Sequence, residues 1–147
     1  MSFHDTTILE TSAATTGTIV RLDAGAGGRD LPAWIFLPAS PAEGQLPLVA
    51  IHGISRRAKE QARLFAAAAN RTGRIVIAPL FGKKSWAGYQ RITNGNRGDR
   101  ALLALLARVQ ALGIAKTRRF DLFGYSGGAQ FVHRFAMLYP QMIGRLN

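Results

Sequence analysis

Gly124-Tyr125-Ser126-Gly127-Gly128 is the stretch of this chain whose residue types and spacing point most directly to chemistry. Glycine two positions to either side of a serine fits a strand-to-helix turn so tight that the backbones press together. Such a turn holds the serine in strained φ/ψ values and projects its hydroxyl from the carboxyl end of a sheet, at the amino end of a helix. A serine presented in that way is a nucleophile for acyl transfer. The N–H of Gly127 and the helix dipole face any anion that forms beside it. The flanks agree with this reading: "RRFDLFGY" reads as a buried strand, and Gly127 to Tyr139 as a helix ended by Pro140. That context outweighs the bland alternative, a Gly-rich turn whose serine only caps a helix.

An oxyanion needs a second backbone donor from another loop. "AIHGIS", Ala50–Ser55, follows a strand ending at His52, and the N–H of Ile54 is the expected donor, with His52 and Gly53 supporting the loop. His52 reads as a buried histidine that braces this loop, not as a base. A nucleophilic serine also needs a base and an acid. No Asp or Glu occurs between Ser126 and Asn147, and the one histidine there, His133, lies seven residues into the elbow helix. Two turns place it on the order of 10 Å along the axis, so it reads as a helix-face histidine. His4 lies near a loose terminus.

The elements that must position these groups alternate. "TGTIVRLDAG" and "LPAWIFLPAS" read as an antiparallel strand pair joined by the turn "GAGGRD". That turn is not a dinucleotide loop, because Asp30 stands where the last glycine belongs and an extended segment follows. "LPLVAIHG" and "GRIVIAPLF" are continuous apolar runs, as expected of strands buried on both faces of a parallel sheet. Between them "RRAKEQARLFAAAAN" is a helix with Ala62, Phe65, Ala66 and Ala69 on one face. "DRALLALLARVQALG" is a second, with Asp99 as its expected cap, Leu102, Leu103, Leu106 and Val109 as its stripe and Gly113 as its stop. This order predicts a mainly parallel, doubly wound α/β sheet. The loop from Gly82 to Gly98 follows a strand's carboxyl end, where open α/β sheets bind ligands. Its Trp86 and Tyr89, among basic residues, are expected at the substrate mouth, favouring acidic or polar acyl groups; the competing reading is a solvated loop with one aromatic tucked inward. "GKKS" at Gly82–Ser85 lacks the earlier glycine and the hydroxyl of a phosphate-binding loop.

Composition narrows the classes. A chain of 147 residues, 48% hydrophobic and 18% charged, fits one domain, here 16–147 after a loosely ordered 1–15. The absence of cysteine removes disulfides, thiolate chemistry and cysteine-ligated metal sites. No signal peptide is visible, and the longest apolar run, Ala101 to Ala107, is too short for a bilayer, so a soluble cytoplasmic protein is expected. The net charge of +11 would suit a nucleic-acid or anionic-surface binder. Its basic residues, however, are scattered at element ends and loops with no interleaved aromatic pattern, so no nucleic-acid partner is expected.

"IHGIS", "RIVIAPLF" and "FDLFGYSGGAQFVHRFAMLYP" together resemble the amino-terminal half of an α/β-hydrolase, with similarity to esterases of the depolymerase-like and dienelactone-hydrolase-like branches. The resemblance runs from Thr16 to Gly144. It implies Ser126 as nucleophile, Ile54 and Gly127 as oxyanion donors, a small-molecule ester or related acyl substrate, and no cofactor. In that family the acid and base follow the serine in the chain; here they are missing. Ending at "MIGRLN" removes the later strand, or keeps only its first residues. "RFDLF" is then expected as an apolar edge strand, and the stripe Phe131, Phe135 and Leu138 as lacking cover. The chain is accordingly expected to be a fragment, a non-catalytic remnant, or one half of a complex, prone to self-association or to pairing with a missing carboxyl-terminal half along that edge. A basic protein that binds anionic polymers is the remaining alternative.

Overall fold

The computed structural model describes residues 8–11, 17–25 and 29–147. Its strands are β1 (Ile8–Thr11), β2 (Thr18–Leu22), β3 (Ala33–Leu37), β4 (Leu48–Ile51), β5 (Val76–Pro79), β6 (Phe120–Gly124) and β7 (Ile143–Leu146). The helices are α1 (Ala58–Thr72), α2 (Gly98–Ala111) and α3 (Gly127–Leu138), with a 3-10 turn at Pro140–Met142. Most of the 1–15 stretch read as loose, and His4 with it, lies outside the described residues; Ile8–Thr11 forms a strand.

All the strands join one sheet in the order β1-β2-β3-β5-β4-β6-β7. β1, β2, β3 and β5 pair antiparallel in turn, and β5, β4, β6 and β7 pair parallel. The sheet is therefore mixed, with an antiparallel amino-terminal part that includes the expected β2–β3 pair. β4 and β5 are buried at every position because helices cover both faces. The period of two then sorts their side chains. Val49, Ile51 and Ile77 face the core shared with α2 and α3, and Leu48, Ala50, Val76 and Ala78 face α1. α1 meets its side with Ala58, Ala62, Ala66 and Ala69, which lets the helix lie close to the strands. Phe65 closes the margin edge-to-face with Phe123 at 4.9 Å.

Three expectations are corrected. Asp99 does not cap α2: Arg97 is the N-cap, without a side-chain cap, and Asp99 is the fully buried second residue of the helix. There it accepts two hydrogen bonds from Arg97 (2.9 and 2.7 Å) and one from the Tyr139 hydroxyl (2.6 Å), joining the start of α2 to the end of α3. The buried stripe of α2 is Leu102, Leu105 and Val109, with Leu103 and Leu106 only partly buried.

The third correction concerns the sheet margin. β6 is not the edge, because β7 pairs with it and the pairing continues to Asn147, whose N–H donates to Leu122 O at 2.8 Å. The Asp121 carboxylate holds β7 in place by accepting the Arg145 N–H at 2.6 Å while paired with Arg74. Phe131 and Phe135 of the expected uncovered stripe are fully buried, whereas its Leu138 (52%) is exposed, as are Met137 (73%) and Leu146 (49%). Among the described residues no strand pairs the outer side of β7, and no helix is long and apolar enough to cross a membrane.

Candidate active site

Ser126 sits between β6 and α3 with φ 54° and ψ −118°, a left-handed φ that an L residue rarely adopts. The neighbouring glycines explain how it is held there. A Cβ on Gly124 would lie 2.3 Å from Gly128 O, and one on Gly128 would lie 2.4 Å from Ile51 O and 2.5 Å from His52 O. Both contacts are with backbone atoms, so no side chain can move to relieve them. The Gly128 N–H donates to Tyr125 O (2.8 Å) and the Ala129 N–H to Ser126 O (2.9 Å), which starts the helix directly after the serine. Ser126 is exposed, and among the described residues its hydroxyl has no hydrogen-bond partner.

The loop after β4 packs against this turn. A Cβ on Gly53 would touch Ser126 Cβ at 3.4 Å, and one on Gly127 would meet Ile54 Cγ2 at 2.9 Å and the Tyr89 hydroxyl at 3.0 Å. Ile54 and Gly127 are thus neighbours beside the serine. Neither of their N–H groups is taken up by a backbone carbonyl among the described residues. Gly127 opens α3, so its N–H also carries the positive end of the helix dipole.

His52 is buried beside this loop. Its Nε2 accepts the Phe81 N–H at 3.0 Å, which leaves the proton on Nδ1, donated to Gly53 O at 2.8 Å. Burial first, and the Arg56 charge after it, lower its pKa to about 4 against the opposing pull of the Gly53 carbonyl, so the ring is neutral near pH 7. Both ring nitrogens are occupied by backbone, and none is left to receive a proton from Ser126. His133 is exposed on α3. Asp99 is committed to Arg97 and Tyr139, and Asp121 to Arg74 and Arg145. No base or acid is brought to Ser126 among the described residues, and no three metal-ligating side chains come together.

Trp86 and Tyr89 are both buried, more than the single inward aromatic that the rival reading allowed. Tyr89 stacks on Phe81 (5.2 Å), and its hydroxyl donates to His52 O at 2.8 Å. The ring therefore forms the floor under Gly127, while Lys83, Lys84 and Arg91 of the same loop are exposed. One residue at the site was missed in the sequence. Arg56, with φ 63°, donates to the carbonyls of Phe81 (2.7 Å), Trp86 (3.0 Å), Ala87 (3.3 Å) and Ile54 (3.2 Å). The signal was an arginine in a loop with no acid nearby, which read as surface charge.

No protein-family model matches the chain, and no curated protein matches it in sequence. Its fold does match solved structures. Poly(aspartic acid) hydrolase-1 from Sphingomonas sp. KT-1 is 21% identical, with a TM-score of 0.72 over 88% of this chain and 54% of that one. A poly(3-hydroxybutyrate) depolymerase from Bordetella parapertussis is 23% identical, with a TM-score of 0.68 over 82% and 46%. An S-formylglutathione hydrolase from Agrobacterium tumefaciens is 15% identical, with a TM-score of 0.71 over 95% and 60%. The chain thus spans about half the length of the proteins it resembles. Its strand order, its helices on both faces and these matches together identify the fold as that of the α/β-hydrolases.

Proposed function

We propose that this chain carries the nucleophile and oxyanion part of a serine hydrolase acting on esters or related acyl compounds. One observation carries the reading. Ser126 is held at φ 54° by glycine contacts that admit no side chain, next to two N–H groups without acceptors. In the reaction the Ser126 oxygen bonds to the acyl carbon, its proton passes to a base, and the carbonyl oxygen becomes an anion held by the N–H groups of Ile54 and Gly127. Collapse expels the alcohol, which takes up the proton, and water then cleaves the acyl-enzyme. The base must come from outside the described residues.

Without a base, a triad-type site retains only roughly 10³–10⁴-fold over water, against the 10⁶-fold or more of a working enzyme. The chain alone is therefore expected to turn over an activated aryl ester barely above background. Free imidazole supplies what is missing and gives the test. A fluorophosphonate should label Ser126 faster in proportion to added imidazole: the oxygen–phosphorus bond forms, fluoride leaves and imidazole takes the proton. Ser126→Ala should abolish the label. Imidazole-dependent labelling that persists undiminished in Ser126→Ala sinks the reading.

The substrate class follows from charge. Lys83, Lys84 and Arg91 are exposed on the loop after β5, and the solved neighbours include an enzyme named for hydrolysing poly(aspartic acid). Acyl groups bearing a carboxylate should therefore react faster than neutral ones of equal size, with the ratio falling as salt rises. The open side of β7, with Leu146, Met137 and Leu138 exposed nearby, is where a second copy or a companion polypeptide would join. The absence of a base among the described residues favours a second reading, a non-catalytic module that uses this edge for binding. Unchanged labelling with and without imidazole supports it. Binding to polyanions that is steep in salt and independent of Ser126 would instead favour an anionic-polymer binder.

A further inference from the structure

Arg56 is the residue at which the two loops beside Gly127 are tied together. Its backbone is left-handed, which is unfavourable for a non-glycine residue, so the surrounding contacts must hold it. Its N–H donates to Gly53 O at 3.0 Å. The guanidinium then reaches four carbonyls: Ile54 on its own loop, and Phe81, Trp86 and Ala87 across the gap. Its carbon lies 4.4 Å from the centroid of the Tyr89 ring. No carboxylate among the described residues pairs with it. The two groups it fixes, Ile54 and Tyr89, are the two that press on Gly127 from outside α3.

We propose that Arg56 is the positioning residue of the oxyanion site: its planar fork locks the Gly53–Arg57 loop onto the loop after β5 and so sets the Ile54 N–H beside that of Gly127. The inference rests on the serine hydrolase reading above and adds a residue to it. The shape of the side chain is decisive. A guanidinium presents five donors in a fixed plane and can span acceptors on two loops, whereas an ammonium concentrates its donors at one point. Arg56 does not touch the reacting atoms; it acts through Ile54.

The test uses the 147-residue chain with a fluorophosphonate and added imidazole. Arg56→Ala should lower the labelling rate at saturating reagent at least tenfold while leaving the half-saturating concentration nearly unchanged. Arg56→Lys should recover less than a third of the lost rate. Ethylguanidinium added to Arg56→Ala should recover more than ethylammonium does, a selectivity that a purely structural role would not produce. Where Arg56→Ala fails to fold, Arg56→Lys alone decides: labelling at least threefold slower supports the proposal. A wild-type rate in either variant overturns it. If Ser126 in the unsubstituted chain takes no label with imidazole, the serine reading fails by itself. The clamp is then judged by amide NMR, where Arg56→Ala should loosen residues 53–57 on the nanosecond scale with β4 and β6 unchanged. An equally rigid loop in that variant overturns the proposal.

Discussion

The two ends of the β6–α3 unit are built in opposite ways. At the serine end backbone meets backbone: Gly124 and Gly128 leave no room for a side chain, and Tyr89, Phe81 and Phe131 fill the space beneath. At the other margin β7 is half-buried to exposed, held by a carboxylate and flanked by Met137, Leu138 and Leu146 in solvent. The difference shows that the backbone geometry presenting Ser126 is a local property. It depends on contacts within β4, β6 and α3, and is complete while the sheet beside it remains open.

The largest expected effect tests that contrast directly. Gly128→Ala drives a methyl into two main-chain carbonyls and should cost more than the ~1–3 kcal/mol of ordinary overpacking, enough to remove the cooperative thermal transition. Gly144→Ala on β7 places its methyl 2.5 Å from Asp121 Oδ1 and Leu46 Cδ1, both side-chain atoms that can shift. It should cost about 1 kcal/mol and leave the transition sharp. Equal losses from the two, read by denaturant melts, would dissolve the distinction.

Acid should weaken the fold in two stages, first beside the serine and then at the far end of α3. His52 has a folded pKa of about 4 against 6.5 unfolded, so the unfolded chain binds the proton first. Its contribution is complete above pH 6.5 and is lost as pH falls towards 4, on the order of 3 kcal/mol in all. The hydrogen bonds of Arg97, foremost, and of Tyr139 hold the Asp99 carboxyl at about 2, outweighing its burial, so its contribution persists above pH 3.8 and disappears on the way down to 2. Stability measured from pH 8 to 3 should thus fall in His52-dependent fashion below 6.5.

A smaller effect has the opposite sign. Ser126→Gly removes the Cβ from a left-handed position, and after the added entropy of an unfolded glycine it should stabilise the chain by about 1 kcal/mol. A destabilised variant would mean that the turn is not strained. Smallest is the edge. Met137→Lys with Leu146→Lys should change stability by no more than about 0.5 kcal/mol, yet lower the concentration dependence of the sedimentation coefficient. Unchanged self-association would place the contact elsewhere.

Much of this architecture was legible in the chain. Continuous apolar runs marked β4 and β5 because both faces of those strands are covered, and the glycine spacing around Ser126 marked a turn that no other residue can make. The burial of His52 was legible too, since it ends a continuous apolar strand, but its two backbone partners, Gly53 O and the Phe81 N–H, were set by the fold. Other features depended on distance through space. Asp99 looked like a cap because its partner Tyr139 lies forty residues away, and the stripe of α2 shifted to Leu105 with the direction in which the helix met the sheet. β6 looked like an edge because "MIGRLN" holds at most the first residues of a following strand; Asp121 and the bonds of Asn147 to Leu122 and Gly124 are what pair those residues with β6. Arg56 was invisible for the same reason: its four acceptors are main-chain carbonyls, which every residue has, and only the fold brings those four within reach of one guanidinium.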